Sequence, residues 1–384
     1  MSHRPEFAVH ELRFAHVASG ARIAWARSGR AGRSGSSGRS GQTSAPVLVR
    51  VAHWMTHLEY DLRSPIWQPW LERLGGSFDL VRYDERGCGL SGADAVELGI
   101  DAAVEELEVV VDAAVGVDGR AAAGDTRGAH PTRRVALLGI SGAAATAVAY
   151  AARHPERVSH LVLLGSYARG LLRREPSADA RAYFEATMRM IELGWGRANS
   201  PVQAYFTATM QPECSAAEAA AMNEQQRLSC DGQRAARIAR ARAMLDVVDL
   251  ASRVRTPTLV LHGSGDGTVS PESGRELAAL IPGARFETLP TRNHVPSTGT
   301  PAFDRFVQVM SDFVLGASTP RPTLTPREIE LLRHVAAGLD NLQIAAQMTI
   351  AQKTARNALS LLYRKLGVEG RPQAIVRARD ILGE

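Results

Sequence analysis

Short apolar runs rich in Val, Ile and Leu alternate with longer Ala- and Leu-rich segments from about residue 46 onward. The short runs are typical of buried strands, and the longer segments have helical periodicity. This alternation predicts a mostly parallel sheet covered by helices, which is an α/β fold, preceded by an antiparallel pair of strands. The predicted strands are Leu12–Val17, Arg22–Ala26, Val47–Ala52, Asp79–Tyr83, Val135–Ile140, His160–Leu164, Thr258–His262 and Phe286–Leu289, and the predicted helices are Ile66–Leu74, Asp101–Ala114, Ala143–Arg153, Ser273–Leu280 and Phe303–Val314.

Three stretches interrupt this alternation. Residues 28–45 and 116–130 are rich in Gly, Ser, Arg and Ala, so they are expected to be surface insertions. Residues 167–252 lose the strand signal and become helical, which predicts a cap over the mouth of the sheet. The large apolar residues of this cap either line a pocket or only hold the cap helices together. They are Phe184, Met188, Met190, Tyr205, Phe206 and Met210.

The domain organisation follows from these interruptions. We expect an α/β core formed by residues 1–166 and 253–316, with the cap inserted at 167–252. A stretch with two prolines and no periodicity predicts a short, stiff linker at residues 317–322. A separate all-α domain is expected at residues 323–384.

Composition bounds the class of protein. At 384 residues, 45% hydrophobic and 22% charged, the chain is large enough for two or three domains and is not a disordered tail. Its three cysteines are widely spaced, so we expect neither a disulfide framework nor a metal site, and no cofactor. The uncharged segment 135–152 is long enough for a membrane span, but its glycines and alanines favour a buried strand followed by a helix. With acidic residues where a signal peptide needs an apolar run, the chain is expected in the cytoplasm, with no membrane partner.

Charge is unevenly distributed along the chain, whose net charge is +5. Residues 320–384 hold ten Arg and Lys against six Asp and Glu, a net +4, which leaves 35 against 34 and a net +1 for the first 319 residues. Both lysines of the chain, Lys353 and Lys365, lie in the basic stretch. A small basic module attached to a nearly neutral unit points to nucleic acid as its partner.

The segment LLGISGAAA at residues 137–145 places a serine between a predicted strand and a predicted helix. Such a tight turn exposes the Ser141 hydroxyl in front of a helix N-terminus. Asp266 and His294 each follow a later predicted strand, so the chain order is Ser, Asp, His. This arrangement resembles the α/β-hydrolase family and its G-x-S-x-G elbow, although Ala143 replaces the second glycine.

The resemblance implies a role for each of these residues. Ser141 would be the nucleophile, His294 the base that takes and returns its proton, and Asp266 the carboxylate that orients the imidazole. Backbone N–H groups of Gly142 and Trp54 would form the oxyanion hole. The alternative is that none of them is catalytic: Ser141 would lie in a turn of small residues, Asp266 would only form a turn, and His294 would be an exposed loop histidine.

The resemblance covers residues 7–316 and extends to the phrase RYDERGCGLS at 82–91, which matches a turn that is common in the family. In this turn Asp84 and Arg86 are expected to hold the loop, and Cys88 to pack inside it.

Residues 323–384 predict three short helices. Thr325-Pro326-Arg327-Glu328 has the pattern of a capping box with proline at the first helical position, so a helix begins there and ends before Gly338. A second helix begins near Asp340 or Asn341, and a third follows a turn at residues 348–351. The third helix has Ala355, Leu359, Leu362 and Leu366 on one face and Lys353, Asn357, Ser360 and Arg364 on the other.

These features resemble the LuxR-type helix-turn-helix family. Its sequence pattern is met at Leu324–Glu328, Gly338, Asn341–Ala345, Lys353-Thr354 and Lys365–Val368, with Ala351, Ala355 and Ala358 as departures from it. The resemblance implies binding to double-stranded DNA as a homodimer on two half-sites. Basic side chains would position the protein on phosphates, and the exposed face would read base edges. The candidate DNA-binding residues are Gln352, Lys353, Thr354, Arg356, Asn357, Arg364 and Lys365.

Three functions are compatible with these two halves. The first is a transcription regulator whose α/β-hydrolase domain senses, and can hydrolyse, a small lipophilic ester, lactone or acyl-type ligand. The second is an active serine esterase or lactonase with an accessory DNA-binding domain. In the third, the Ser-Asp-His set is an unreactive relic that shapes a pocket. The fused DNA-binding domain favours the first.

Overall fold

The computed structural model describes residues 11–28, 45–53, 55–93, 98–115, 134–174, 177–197, 200–316 and 324–366, together with residues 368, 370, 371, 374 and 378. The chain divides into two compact units, Met1–Leu315 and Gly316–Glu384. Most of the predicted insertion at 28–45 lies outside the described residues, as do the insertion at 116–130, the linker at 317–322 and Trp54.

A single sheet forms the centre of the first unit. Its strands within the described residues are β1 Glu11–His16, β2 Arg22–Ser28, β3 Val47–Arg50, β4 Asp79–Tyr83, β5 Val135–Ile140, β6 Val158–Leu164, β7 Thr258–Gly263 and β8 Arg285–Leu289. Their spatial order is β1-β2-β4-β3-β5-β6-β7-β8. β2 pairs antiparallel with β1 and β4, and the remaining neighbours are parallel.

Helices cover both faces of this sheet. In chain order they are α1 Leu58–Asp61, α2 Trp67–Gly75, α3 Ile100–Val115, α4 Ala143–Arg153, α5 Leu171–Arg174, α6 Ala178–Gly194, α7 Pro201–Met210, α8 Ala216–Ser229, α9 Gly232–Ala243, α10 Val248–Ala251, α11 Pro271–Leu280 and α12 Pro301–Leu315. Side chains from α2 and α12 pack with one face of the sheet, and side chains from α3, α4 and α11 pack with the other. Strands β3 to β7 are buried along nearly their whole length because both faces are covered.

The predicted α/β fold is confirmed. β4, β5 and α4 have the predicted bounds, and the other elements differ by a few residues at their ends. The uncharged segment 135–152 forms β5 and most of α4, which is the expected buried strand followed by a helix. Among the described residues, no helix combines the length and apolar character that crossing a bilayer needs.

The strand register brings the functional loops to one edge of the sheet. Ile140 at the end of β5 is paired with Leu164 at the end of β6, and Leu164 is paired with Leu261 near the end of β7. Gly263 is paired with Leu289, the last residue of β8. The loops that follow these parallel strands therefore meet at the carboxyl edge of the sheet. Helices α5 to α9 lie between β6 and β7 in the sequence.

The second unit contains α13 Pro326–Ala336, α14 Asn341–Gln347 and α15 Gln352–Leu366. Thr325 and Glu328 form the predicted capping box at the start of α13, and Asp340 forms another with Gln343 at the start of α14. Gly338 ends the first helix with φ +78°, a conformation that glycine adopts without steric cost. The predicted apolar face of α15 is buried, with Ala355, Leu359, Leu362 and Leu366 at most 5% exposed.

Candidate functional site

Ser141 lies in a strained turn between β5 and α4. Its φ is +55°, a value that a residue with a Cβ adopts at a cost of about 1–3 kcal/mol. The Ser141 N–H donates to the Leu164 carbonyl at 2.8 Å, which fixes the turn against β6. A Cβ on Gly139 would lie 2.8 Å from the Ala144 Cα, so the helix approaches the strand closely only because residue 139 is glycine. The local sequence thus produces an elbow with Ser141 at its apex.

Asp266 and His294 are brought together at the same edge. The His294 Nδ1 lies 2.7 Å from the Asp266 Oδ2, and both side chains are buried. The other carboxylate oxygen accepts hydrogen bonds from the N–H groups of Thr268 at 2.8 Å and Val269 at 3.1 Å. Since Nδ1–H donates to the carboxylate, a neutral His294 carries its lone pair on Nε2, which has no hydrogen-bond partner among the described residues. This is the tautomer that a general base needs.

A second histidine, His262 on β7, also holds Asp266. Its Nε2 lies 2.9 Å from the Val269 carbonyl and 3.3 Å from the Asp266 Oδ2. Burial alone would raise the pKa of Asp266, but hydrogen bonds from His262 and His294 hold this pKa well below its ordinary value. Asp266 therefore stays ionised and can stabilise a positive imidazole at His294.

The His294 loop is fixed by the sheet and by the cap helices. A Cβ on Gly165, whose φ is +58°, would lie 2.8 Å from the His294 Cε1. The His294 N–H donates to the carbonyl of Met210, the last residue of α7, at 2.8 Å. Gln211 donates from its Nε2 to the Val295 carbonyl at 3.0 Å. The ring of His294 is thus held between the end of β6 and the end of α7.

Two cavities meet at Ser141. The smaller, about 50 Å³, is lined by Ser141 and His294 and by the methionines Met55, Met210 and Met222. The larger, about 210 Å³, is also lined by Ser141, and its walls come mainly from the cap helices. Its lining includes five of the six large cap residues singled out in the sequence, Phe184, Met188, Tyr205, Phe206 and Met210.

The space beside Ser141 is occupied by polar groups from the region of the cap. A Cβ on Gly142 would lie 3.0 Å from the Tyr167 hydroxyl and 3.1 Å from the Arg242 Cδ. Arg242 on α9 is paired with Glu85 at 2.8 Å. Burial raises the pKa of Tyr167, so its hydroxyl stays protonated and is a hydrogen-bond donor close to the serine.

Of the two predicted oxyanion-hole donors, the structure describes one. Gly142 follows Ser141 directly and is the N-cap residue of α4, where a backbone N–H meets the positive end of the helix dipole. Trp54 lies outside the described residues, but its neighbour His53 is buried in the wall of the smaller cavity. Burial, reinforced by nearby Arg50, lowers the pKa of His53 well below its ordinary range, so its ring is neutral.

The turn at residues 82–91 packs as a structural loop. The buried Asp84 accepts hydrogen bonds from the N–H groups of Leu58 at 3.2 Å and Leu90 at 2.9 Å. Arg86 is paired with Glu106 at 3.1 Å. Asp84 and Arg86 therefore hold the loop, and neither lines the cavities around the serine.

In the second unit, α15 presents the predicted polar face to solvent. The exposed candidates are Gln352, Lys353, Thr354, Arg356 and Asn357. Lys365 is also exposed, but its Nζ lies 2.7 Å from the Glu328 carboxylate. It is thus engaged in an ion pair within the domain. The side chain of Arg364 lies outside the described residues.

Residues 71–295 match the family described as serine aminopeptidase, S33. The chain belongs to this family. Residues 322–378 match a second family, described as bacterial regulatory proteins, luxR family. This member of the S33 family therefore combines a hydrolase-fold unit with a LuxR-type helix-turn-helix domain, as the sequence motifs predicted.

Individual proteins resemble either the hydrolase-fold unit or the helix-turn-helix domain. A probable HTH-type transcriptional regulator, GfsR, from Streptomyces halstedii is 47% identical over 62 residues, which are 16% of this chain and 26% of the regulator. A putative carbamate hydrolase, RutD, from Azorhizobium caulinodans is 27% identical over 261 residues, covering 65% of this chain and 84% of that enzyme. Among solved structures, an enol-lactonase from Burkholderia xenovorans LB400 has a TM-score of 0.58 at 22% identity, covering 79% of this chain and all of the lactonase.

The chain thus spans about a quarter of the length of the regulator that it matches. The likeness to the lactonase establishes the fold. Neither likeness by itself assigns an activity to this chain.

Sequence reasoning missed several residues that the fold brings to the site. His262 lies inside β7, where its apolar neighbours give no sign of a polar role. Tyr167, Arg174 and Arg242 lie 26 to 101 positions after Ser141 and reach the cavity only because the chain folds back over the sheet edge. Gly142 was the one indication in the sequence, because a glycine directly after the serine leaves room there for side chains such as Tyr167 and Arg242.

Proposed function

We propose that this chain is a DNA-binding transcription regulator whose hydrolase unit receives a small ester, lactone or acyl-type ligand at Ser141. The observation that carries the proposal is the 2.7 Å contact between Asp266 and His294 beside a cavity that Ser141 also lines. This arrangement belongs to a chain whose residues 322–378 match the luxR family. A ligand site and a helix-turn-helix domain in one polypeptide are the two parts that a ligand-controlled regulator needs.

At the ligand site, the three residues would act as a nucleophile, a base and an orienting carboxylate. The Ser141 Oγ would add to the ligand carbonyl while His294 Nε2 takes the hydroxyl proton. The leaving alcohol would receive that proton, and an acyl group would remain on Ser141. A water molecule, deprotonated by His294, would then cleave the acyl bond and regenerate the serine. The Gly142 N–H is the proposed donor to the oxyanion.

At the DNA site, the exposed face of α15 would enter the major groove. Lys353, Arg356 and Arg364 would attract phosphates, while Gln352 and Asn357 would contact base edges. Helix-turn-helix proteins commonly bind two half-sites as symmetric dimers, so the proposed form is a cytoplasmic homodimer.

Coupling between the two sites would require the ligand to bind one arrangement of the protein more tightly than another. Occupation of the cavity under the cap would then change DNA affinity by the ratio of the two ligand affinities, typically about 5- to 150-fold.

A second candidate function is a working esterase or lactonase with an accessory DNA-binding domain. Two features favour it. The pKa of Asp266 is low, and the His294 Nε2 has no hydrogen-bond partner among the described residues, so it is available to accept the serine proton. An unreactive set of residues that only shapes a pocket is the third alternative.

Hydrolysis of short 4-nitrophenyl esters by purified protein separates these candidates. Turnover that disappears in Ser141→Ala supports chemistry at this site. If Ser141→Ala retains normal ligand-dependent control of a promoter, the chemistry is dispensable and sensing alone remains. If the ester is cleaved equally by wild type and Ser141→Ala, the proposed role of the serine is wrong.

DNA binding is tested by gel-shift titration of duplexes selected from a random library. Lys353→Ala and Arg356→Ala are expected to weaken binding and to flatten its salt dependence, because each removes a phosphate contact. Unchanged affinity and unchanged salt slope in both variants would remove the DNA half of the proposal.

A further inference from the structure

The larger cavity beside Ser141 has more positive than negative charge among the described residues that line it. Among the described residues that line it, Arg174 and Arg242 are charged and none is Asp or Glu. Arg242 is neutralised by Glu85, outside the cavity lining, at 2.8 Å. The cavity charge therefore rests on Arg174, the last residue of α5.

The partners of Arg174 among the described residues are neutral. Its Nη1 donates to the Ser273 Oγ at 2.6 Å, and its guanidinium carbon lies 5.1 Å from the centroid of the Tyr167 ring. Its Nε is buried and has no hydrogen-bond partner in the part of the chain that the structure describes. A guanidinium has five N–H donors in a fixed fork that matches a carboxylate, so most of its donor capacity is unused among these residues.

The rest of the cavity wall is mainly apolar or aromatic. Phe184, Met188, Ile191 and Phe206 face the same space as Ser141 and Arg174. Its volume of about 210 Å³ exceeds the roughly 150 Å³ of a cavity that holds benzene. A ligand of about ten non-hydrogen atoms therefore fits, with a hydrocarbon body and one anionic end.

We propose that this cavity binds amphipathic monocarboxylates, with the Arg174 guanidinium pairing with the carboxylate and the cap aromatics holding the hydrocarbon. This inference names the ligand class for the function proposed above and rests on it. An ester or lactone of this class would extend from Arg174 to Ser141, since both line the same cavity. Arg174 is thus a specificity-determining residue, because a carboxylate supplies a counterion to its charge and a neutral ligand does not.

The test is a calorimetric comparison of 3-phenylpropanoate with its uncharged analogue 3-phenylpropanamide, using the full-length chain. Neither compound is an ester, so binding is measured without turnover. The wild type is expected to bind the carboxylate at least about 10-fold more tightly than the amide, as for hydrogen bonds to a charged group. Arg174→Met removes this difference, and Arg174→Lys retains part of it because it keeps the charge but not the fork.

Arg173→Met is the matched control. Arg173 precedes Arg174 in the same short helix but is exposed and does not line the cavity. This variant is expected to keep the wild-type difference between the two ligands. A melting curve for each variant separates loss of binding from loss of folding, and Arg174→Lys keeps the test valid if Arg174→Met does not fold.

The inference is overturned if the wild type binds both compounds equally, binds neither, or keeps its preference in Arg174→Met. Its failure is distinguishable from failure of the proposed function, which is read from hydrolysis of neutral 4-nitrophenyl butyrate by wild type and Ser141→Ala. Carboxylate selectivity through Arg174 without any ester turnover would support the binding site and reject the hydrolysis.

Discussion

Gly165 shows how a single position without a side chain sets the geometry of the candidate site. Its φ is +58°, and a Cβ at this position would clash with the His294 ring. Gly165→Ala is expected to displace the imidazole and to lower ester turnover by about 100-fold, the effect of a misplacement of roughly 1 Å. The measurement is the initial rate of 4-nitrophenyl ester hydrolysis.

Gly283→Ala provides the control for backbone strain. Gly283 has φ +73°, but a Cβ at this position would meet no atom of the described residues within 4 Å. Both alanine variants should lose about 1–2 kcal/mol of stability from the left-handed backbone. Only Gly165→Ala should lose turnover, and an equal loss in both would mean that the glycine acts through strain alone.

Asp84 gives the first unit a specific pH dependence. Burial, opposed by hydrogen bonds from Leu90 and Leu58, raises the pKa of this carboxyl to about 7. The folded state therefore holds the proton more tightly than the unfolded chain, whose Asp pKa is about 3.9. The contribution of Asp84 to stability is fully present below about pH 4 and is lost as the pH rises through about 7.

Asp84→Asn is expected to flatten this part of the stability profile between about pH 4 and 7. Urea unfolding followed by tryptophan fluorescence measures it, because all five tryptophans belong to the first unit. Asp101→Asn, with a side chain 83% exposed in the wild type, is the control and should keep the wild-type profile. A profile for Asp84→Asn that falls as steeply as that of the wild type would contradict the assignment.

Ser141, Asp266 and His294 were predicted as a set because each follows a strand, and parallel strands end at one edge of a sheet. Their chain order carried the signal. His262 and Arg174 could not be predicted in the same way, since a histidine within a strand and an arginine in a helical segment are ordinary in sequence. Their roles depend on distances that only the folded chain sets.

At the scale of elements, the cap is fixed to the loop that follows β4. Arg242 on α9 is paired with Glu85 at 2.8 Å, and both side chains are largely buried. Arg234 on α9 donates to the Arg86 carbonyl, and the Gly89 N–H donates to the Ser229 carbonyl at 2.7 Å. These contacts hold α9 and the end of α8 against that loop, and among their residues Arg242 also lines the larger cavity.

Glu85→Gln is expected to loosen α9, because it leaves the Arg242 charge buried without a counterion. Hydrogen exchange of α9 amides should become about tenfold faster as local opening becomes easier. Glu185→Gln is the control, since Glu185 pairs with Arg240 at 3.0 Å entirely within the cap. Equal exchange in α9 of both variants would mean that the Glu85 pair does not fix the cap.

The helix-turn-helix unit allows a contrast between its two lysines. Lys353 is exposed on the polar face of α15, whereas Lys365 is paired with Glu328 of α13. Lys353→Ala should lower the salt slope of DNA binding by about 1, and Lys365→Ala should leave it near the wild-type value. An equal reduction in both variants would show that Lys365 breaks its ion pair with Glu328 and contacts a DNA phosphate instead.

The elements themselves were largely predictable. Buried strands such as β5 are short and apolar on both faces, and a capping-box pattern marked the start of α13. The cap was predictable as helical, but the bounds of α5 to α9 were not. Their sequences are rich in alanine and polar residues, so periodicity gives only a weak indication of where each helix ends.

At the scale of the whole molecule, the proposed function requires that a ligand bound in one unit changes DNA binding by the other. A ligand can change DNA affinity only if it binds one arrangement of the protein more tightly than another. Linkage then requires DNA to change ligand affinity by the same factor. The coupling can therefore be measured as a change in DNA affinity on ligand binding or as a change in ligand affinity on DNA binding.

The most direct measurement is the dissociation constant for library-selected duplex DNA before and after Ser141 reacts with a fluorophosphonate, with Ser141→Ala treated identically. The proposed coupling predicts a change of at least about fivefold in the wild type and none in Ser141→Ala. If mass spectrometry shows that the serine is fully modified and DNA affinity is unchanged, the two units act independently and the proposed coupling is wrong.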